Sequence, residues 1–312
     1  MKSNSVLIVG CGDIGTRSGK LLHAAGWHVA GVRRNCEKLP QWIERHAADY
    51  SEPGSLDFIA ALRPDFVLAT FNPSDRSLEG YHRGFLEATH NLLRGLGAHR
   101  PKAIISVSST RVYAESCGGW VDENSALAGD EDPRAVAIIA AEQALLASPH
   151  RACVVRFAGI YGYSGGRLLS RIQRGELCAP QPGRYSNRIH RDDCAGFLCH
   201  LLQAAAAGGA LAPVYNGVDD EPVLQFMVET WLAAQLGVEA GAAAAGPVPG
   251  PVGGKRCRNQ GLHDSGYTLR YPDYRSGYTA VLAGTTLIAR MASTSMSSPL
   301  GRAATCTQAL GG

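Results

Sequence analysis

Gly10-Cys11-Gly12-Asp13-Ile14-Gly15 follows the apolar run Val6–Val9 and opens a segment of helical pattern. A strand, a tight glycine turn and a helix start, in that order, form a cradle for a diphosphate. The first glycine permits the turn, the second lets the backbone approach the pyrophosphate, and the third lets helix and strand pack closely. The helix N-terminus then presents free N–H groups and partial positive charge to the phosphates. Gly10, Gly12, Asp13, Ile14 and Gly15 are the expected contacts of a dinucleotide cofactor. The next apolar run, His28–Val32, ends in Arg33-Arg34, with no carboxylate before Glu37. A carboxylate at that strand end would grip the ribose 2′-hydroxyl of NAD and repel a 2′-phosphate. A guanidinium binds the phosphate through paired, charge-assisted hydrogen bonds. Arg33, with Arg34 beside it, therefore predicts NADP(H) over NAD(H); the alternative is a pair of solvated surface arginines. Asp49 follows the third expected strand. It either accepts a hydrogen bond from the adenine amino group or caps the next turn.

The elements that must position these residues alternate regularly. Short apolar runs at Val6–Val9, His28–Val32, Phe66–Thr70, Ala103–Val107 and Cys153–Phe157 are separated by helical patterns such as Thr16–Ala25 and Tyr81–Leu96. Such alternation predicts an α/β fold, a doubly wound parallel (Rossmann) sheet covered on both faces. After about residue 165 helical segments at Leu168–Arg174, Cys194–Ala206 and Pro222–Leu236 alternate with irregular stretches. The expected organisation is a dinucleotide-binding domain over 1–165 and a small C-terminal substrate lobe over 166–282, interwoven with it. The Ala/Gly/Pro-rich stretch Ala240–Gly254 predicts a flexible linker, and the Ser/Thr/Ala/Gly-rich 283–312 a disordered tail.

Composition narrows the partners. Apolar residues make up 45% of the 312 and charged residues 18%, with a formal charge of +3, the balance of a soluble globular chain. Lys2, Lys20, Lys38, Lys102 and Lys255 are the only lysines, and no basic run is interleaved with aromatics, so no nucleic-acid partner is expected. No run of 18 apolar residues predicts a membrane span. The nine cysteines include no C-x-x-C pair, so neither a disulfide framework nor a metal site is expected. The absence of a signal-peptide pattern at Met1 gives a cytoplasmic expectation. The expected partner is a small-molecule substrate, and a homodimer is compatible with the sequence.

The motifs beyond the glycine loop carry a family resemblance. Ser108-Ser109-Thr110-Arg111-Val112-Tyr113, Val121-Asp122-Glu123, Arg156-Phe157-Ala158-Gly159-Ile160-Tyr161-Gly162, Asn187 to Asp193 and Tyr215 to Asp220 agree in order and spacing with one family. Together with Gly10-x-Gly12-x-x-Gly15 and Asp49, they make the chain resemble the extended short-chain dehydrogenase/reductase superfamily, its nucleotide-sugar epimerase and dehydratase branch. The glycine spacing resembles the atypical subgroup. The resemblance implies a serine, a tyrosine and a lysine as the catalytic set. Ser109 matches the serine. Counting back from Glu142 puts the lysine position at Ile138 and the tyrosine position at Arg134. No lysine lies between Lys102 and Lys255 and no tyrosine between Tyr113 and Tyr161, so the dyad is missing. Tyr113, just past a strand end, and Arg134 are the substitutes on offer for catalysis, although Tyr113 also matches the family's structural turn tyrosine. The resemblance places Tyr161, Arg167, Arg188 and His190 toward the substrate, and Asp193 as the cap of the helix starting at Cys194. The family's diphosphate-binding arginine falls at Ser186, which argues against a nucleotide sugar. Two functions follow: an NAD(P)-dependent oxidoreductase or epimerase-like enzyme acting on a small carbonyl or sugar-like substrate, or a non-catalytic NADP(H)-binding sensor.

Overall fold

The structure, a computed structural model, describes residues 3–239 and 250–295, the last eleven of them as backbone only. The glycine loop joins β1 (Ser5–Val9) to α1 (Asp13–Ala24), and β2 (His28–Arg33) and β3 (Glu44–Ala47) follow. Next come α2 (Ile59–Leu62), β4 (Phe66–Ala69), and a helical stretch in which α3 (Leu78–Tyr81) passes through a π-helical turn (His82–Glu87) into α4 (Ala88–Leu96). The chain continues through β5 (Ala103–Ser109), β6 (Cys117–Val121), α5 (Pro133–Leu146), β7 (Ala152–Phe157) and β8 (Gly159–Tyr161). After α6 (Arg167–Gln173) come β9 (Tyr185–Ser186), β10 (Arg188–His190), α7 (Arg191–Ala206), β11 (Val214–Gly217) and β12 (Val223–Leu224). Then α8 (Gln225–Leu236), β13 (Gly254–Cys257), α9 (Gln260–Asp264) and α10 (Tyr274–Ser295) complete the described chain.

Seven strands form one parallel sheet in the order β11-β7-β5-β4-β1-β2-β3. The reason is legible in β1. Val6 and Ile8 enter one buried cluster with α1 and α7, while Leu7 and Val9 enter another with α4 and α5. A strand apolar on both faces needs helices on both faces. Strand order reverses at β1, with β2 on one side and β4 on the other, so a crevice opens at the carboxyl ends of β1 and β4, the ligand position in open α/β sheets.

The C-terminal part belongs to the same body. β11 completes the sheet beside β7, and α7 packs on α1, where Arg17 Nη1 meets Asp192 Oδ1 at 2.6 Å. A third core, with Leu169, Ile172, Val228, Leu232, Tyr274 and Tyr278, fills the lobe between α6, α8 and α10. Two sequence expectations change. Residues 283–295, expected to lack regular structure, continue α10 as helix, and 296–312 lie outside the described residues. Of the expected linker, 240–249 lie outside them too, while Gly254 begins β13, which pairs in parallel with β6. Among the described residues no helix is long and apolar enough to cross a membrane.

Candidate functional site

The glycine loop is pinned from both sides. Gly10 N and Cys11 N donate to Val32 O at 3.1 and 2.9 Å, and Thr70 Oγ1 donates to Gly10 O at 2.8 Å. Gly10 has φ +82°, and a Cβ there would stand 2.7 Å from Thr70 O, so both its conformation and its surroundings require glycine. A Cβ on Gly15 would stand 2.9 Å from Ile8 Cγ2, the close helix–strand approach expected of the third glycine. On Gly12 the nearest atom would be 3.7 Å away, so this glycine borders open space rather than packing.

That space is a cavity of about 340 Å³ lined by Gly10, Gly12, Arg33, Arg34, Asp49 and Asn72. The cradle that a Cβ would fill, with Arg33 and Arg34 also lining it, fits the diphosphate of a dinucleotide. The two arginines are not equivalent. Arg34 Nη1 lies 3.7 Å from Asp49 Oδ2, whereas Arg33 has no ion pair among the described residues. Asp49 Oδ1 accepts from Ser51 N at 3.1 Å and Ser51 Oγ at 2.7 Å, the turn-capping alternative. Burial opposes ionisation of Asp49, but these hydrogen bonds and the Arg34 charge outweigh it and hold the carboxyl below its usual range. Asp13 and Ile14 are not walls of this cavity. Asp13 takes Arg17 Nε at 3.2 Å and Arg191 Nη1 at 3.6 Å, and Ile14 packs on the core.

Ser109 ends β5 and is a wall of two further cavities. One, of about 200 Å³, runs under Phe71, Asn72, Val107, Ile138 and Phe157. The other is an open cleft of about 700 Å³ lined also by Arg111, Glu115, Asp132, Arg184 and Lys255. Ser109 Oγ accepts from Arg111 N at 3.2 Å, which leaves the hydroxyl hydrogen for a ligand.

Two catalytic candidates are displaced. The Tyr113 ring edges the cleft, but its hydroxyl points into the protein. It donates to Asn216 Oδ1 at 2.6 Å and accepts from Arg156 Nη1 at 3.1 Å. Arg156 in turn pairs with Glu142, Nη2 to Oε2 at 2.7 Å, and Glu142 accepts from the Ser108 hydroxyl. Burial pushes the Tyr113 phenol up to about 12, so it stays protonated and structural rather than serving as a base. Arg134 is exposed on α5, over the Tyr81 ring at 5.9 Å, and is not a wall of the cleft. Ile138, at the lysine position, is a buried apolar wall.

Of the four substrate candidates, Tyr161, Arg167 and Arg188 meet around a cavity of about 300 Å³ beside α6 and α8. Arg167 is exposed at its rim. Tyr161 is buried, its ring centroid 4.5 Å from that of Tyr278. Arg188 is buried too and spends its guanidinium on Ser186 Oγ at 2.5 Å and Glu221 O at 3.4 Å. His190 is elsewhere: buried between Tyr161 and Tyr271, it caps α7 through Nδ1, which accepts from Asp192 N at 3.2 Å. Burial pushes its imidazole down to about 4, which matches an unprotonated acceptor in the cap, and it is not a wall of this cavity. Asp193, expected as the cap, instead accepts from Tyr267 OH at 3.0 Å, Arg270 N at 2.7 Å and Tyr271 N at 3.0 Å, and so ties the C-terminal segment to α7.

Sequence reasoning did not find Lys255. β13 carries it alongside β6, and its Nζ donates to Tyr113 O at 2.6 Å and Thr110 O at 3.3 Å. Nothing near Lys255 in the chain signals this placement, which is made by a pairing between distant segments.

No family model matches the chain. Over 211 residues it is 29% identical to the Escherichia coli protein YeeZ, a match covering 65% of this chain and 74% of that protein. The human epimerase family protein solved with NADPH superposes with a TM-score of 0.67 at 23% identity, covering 89% of this chain and 98% of that one, a likeness of fold. The solved structure of an NAD-dependent epimerase/dehydratase from Methylobacillus flagellatus is 33% identical, with a TM-score of 0.78, over 91% of this chain and all 100% of that one. With its parallel seven-stranded sheet, glycine cradle and Ser109 at the end of β5, the chain belongs to the NAD-dependent epimerase/dehydratase family.

Proposed function

We propose that the chain is an NADP(H)-dependent oxidoreductase of this family, acting on a small carbonyl or sugar-like substrate in the cleft beside Ser109. The observation that carries the reading is Ser109 itself. With its hydroxyl hydrogen uncommitted, it is a wall of both the cavity of about 200 Å³ past the carboxyl end of β4 and the open cleft of about 700 Å³. Gly10 and Gly12 hold the pyrophosphate, and Arg33, the arginine without an ion pair among the described residues, takes the 2′-phosphate. The nicotinamide, when bound, supplies or accepts the hydride. Ser109 orients the reacting oxygen by donating to it. Phe71, Ile138 and Phe157 supply apolar walls at that end of the crevice. The human relative's NADPH supports the same cofactor choice.

Calorimetric titration of NADPH and NADH against the wild type and Arg33→Ala tests the cofactor. Loss of charge-assisted contacts costs on the order of 1.5–3 kcal/mol for NADPH and nothing comparable for NADH. An unchanged preference in the variant would remove Arg33 from the argument. One observation favours the sensor reading: Arg134 and Ile138, at the positions of the family's tyrosine and lysine, bring no proton-carrying group to the cleft. NADPH oxidation against a panel of aldehydes and ketones separates the two readings. Turnover that Ser109→Ala abolishes establishes the enzyme, and tight NADPH binding without turnover favours the sensor.

A further inference from the structure

The cleft lacks the family's tyrosine–lysine pair, yet a lysine stands in it. Lys255 arrives from β13 and reaches the turn directly after Ser109. Its three ammonium hydrogens are unequally placed. Two are engaged by the backbone carbonyls of Tyr113 and Thr110, and the third is left for the cleft that Lys255 lines together with Ser109. A neutral amine keeps two N–H groups. Both carbonyl bonds therefore survive deprotonation, and a lone pair replaces the third hydrogen at the same point in space. The side chain is held in one place in either protonation state, as a proton carrier requires.

Its electrical surroundings allow the exchange. Among the described residues no carboxylate lies within ion-pair distance of Lys255, and the Tyr113 ring face, 5.8 Å from Nζ, favours the charged form only weakly. The charged and titratable groups that face it are Arg111 on the turn after β5, Glu115 before β6, Asp132 at the start of α5 and Cys257 on its own strand. Arg184 and Glu131 line the same cleft. Half-burial pushes the ammonium below its usual range, the direction in which a lysine exchanges protons more readily near neutrality.

We propose that Lys255 is the catalytic proton carrier of this site and completes with Ser109 the set that the missing tyrosine and lysine leave open. The inference rests on the reading of the chain as a dinucleotide-dependent oxidoreductase. In the reducing direction the carbonyl carbon of the substrate takes a hydride from the reduced dinucleotide, and the C=O π bond breaks toward oxygen. That oxygen, oriented by Ser109, takes a proton from Lys255 Nζ; an N–H bond breaks as the O–H bond forms. The products are an alcohol, the oxidised dinucleotide and a neutral amine, which water in the open cleft reprotonates. In the oxidising direction the amine removes the hydroxyl proton.

The test needs no substrate. With [ε-13C]lysine incorporated, the five lysines give five signals whose pH titration is followed by NMR. Loss of one signal in Lys255→Arg assigns the residue. The titration is run on the full chain alone, with saturating NADPH and with saturating NADP+. A lysine beside the reacting carbon feels the positive charge that oxidation places on the nicotinamide ring. Its midpoint should lie roughly half a pH unit or more lower with NADP+ than with NADPH, the repulsion of two like charges under about 10 Å apart in a partly desolvated cleft. The surface lysines should show no such difference. If both dinucleotides bind and the Lys255 midpoint is the same with each, Lys255 only clips β13 to the turn at Thr110 and the proposal is overturned. If neither dinucleotide binds saturably by calorimetry, the oxidoreductase reading itself fails, a different and recognisable result.

Discussion

Removing the hydroxyl of Tyr113 distinguishes a structural tyrosine from a catalytic one. In Tyr113→Phe the ring stays packed, while one donated and one accepted hydrogen bond vanish. Arg156 keeps Glu142 and still reaches Glu123 O at 3.3 Å, so its charge remains compensated. Asn216 is hit harder. Its Nδ2 still donates to Arg258 O at 3.0 Å, but the buried Oδ1 loses its donor. One buried acceptor left unsatisfied costs about 1–3 kcal/mol. Glu142→Gln attacks the same network at the charge and strands a buried guanidinium, which costs about 3–5 kcal/mol. Urea denaturation followed by circular dichroism should therefore rank Glu142→Gln below Tyr113→Phe and both below wild type, with unchanged slopes and unchanged NADPH affinity in Tyr113→Phe. The two residues share Arg156, so the double variant should lose less than the sum. A Tyr113→Phe variant within about 0.5 kcal/mol of wild type would refute the assignment of this hydroxyl to the buried network.

Gly10→Ala should lose both stability and NADPH binding, because the new methyl meets Thr70 O and the left-handed backbone costs a further 1–2 kcal/mol or so; calorimetry and thermal melts check it. His190 sets a pH signature. Its folded value is depressed to about 4 from an ordinary 6.5, so between those values the unfolded chain binds the extra proton and stability falls as pH drops. Buried Asp219, pushed up to about 8, acts with the opposite sign over an overlapping range, so the His190 contribution is read as the wild-type slope minus that of His190→Asn. Equal slopes would contradict the buried neutral imidazole. Asp193→Ala removes the acceptor of three hydrogen bonds and should release 267–271 from α7, seen as faster amide exchange at Arg270 and Tyr271; protected amides there would disprove the tie.

What the sequence disclosed and what it hid divide along chain distance. The cofactor end is local: Gly10, Gly12 and Gly15 sit in one turn, and their distinct roles reappear in what a Cβ would strike at each. The alternation of Val6, Leu7, Ile8 and Val9 likewise held the two-sided burial of the sheet in four residues. Counting back from Glu142 puts Arg134 on α5, but which face of that helix meets the cleft is decided by packing, and Arg134 lies exposed over Tyr81, outside the cleft wall. At Tyr113 the backbone position was readable but the direction of the hydroxyl was not, since its partners Arg156 and Asn216 are 43 and 103 residues away. Asp193 looked like a cap by residue type, and His190, an uncommon capping residue, took the role. Lys255 is hidden for the same reason in stronger form, 145 residues along the chain from Thr110.

The two ends of the crevice therefore answer differently to mutation over evolutionary time. The dinucleotide end is lined by residues between Gly10 and Gly84, and at Gly10 any side chain would collide with Thr70 O. The cleft is assembled from separate stretches around Ser109, Arg184 and Lys255 that share no turn with that cradle. Changes at Glu115 or Arg184 reshape the walls of the cleft without disturbing the Gly10 turn. On the proposed reading the recognition surface can vary while the dinucleotide cradle is kept, because the chain path itself uncouples the two.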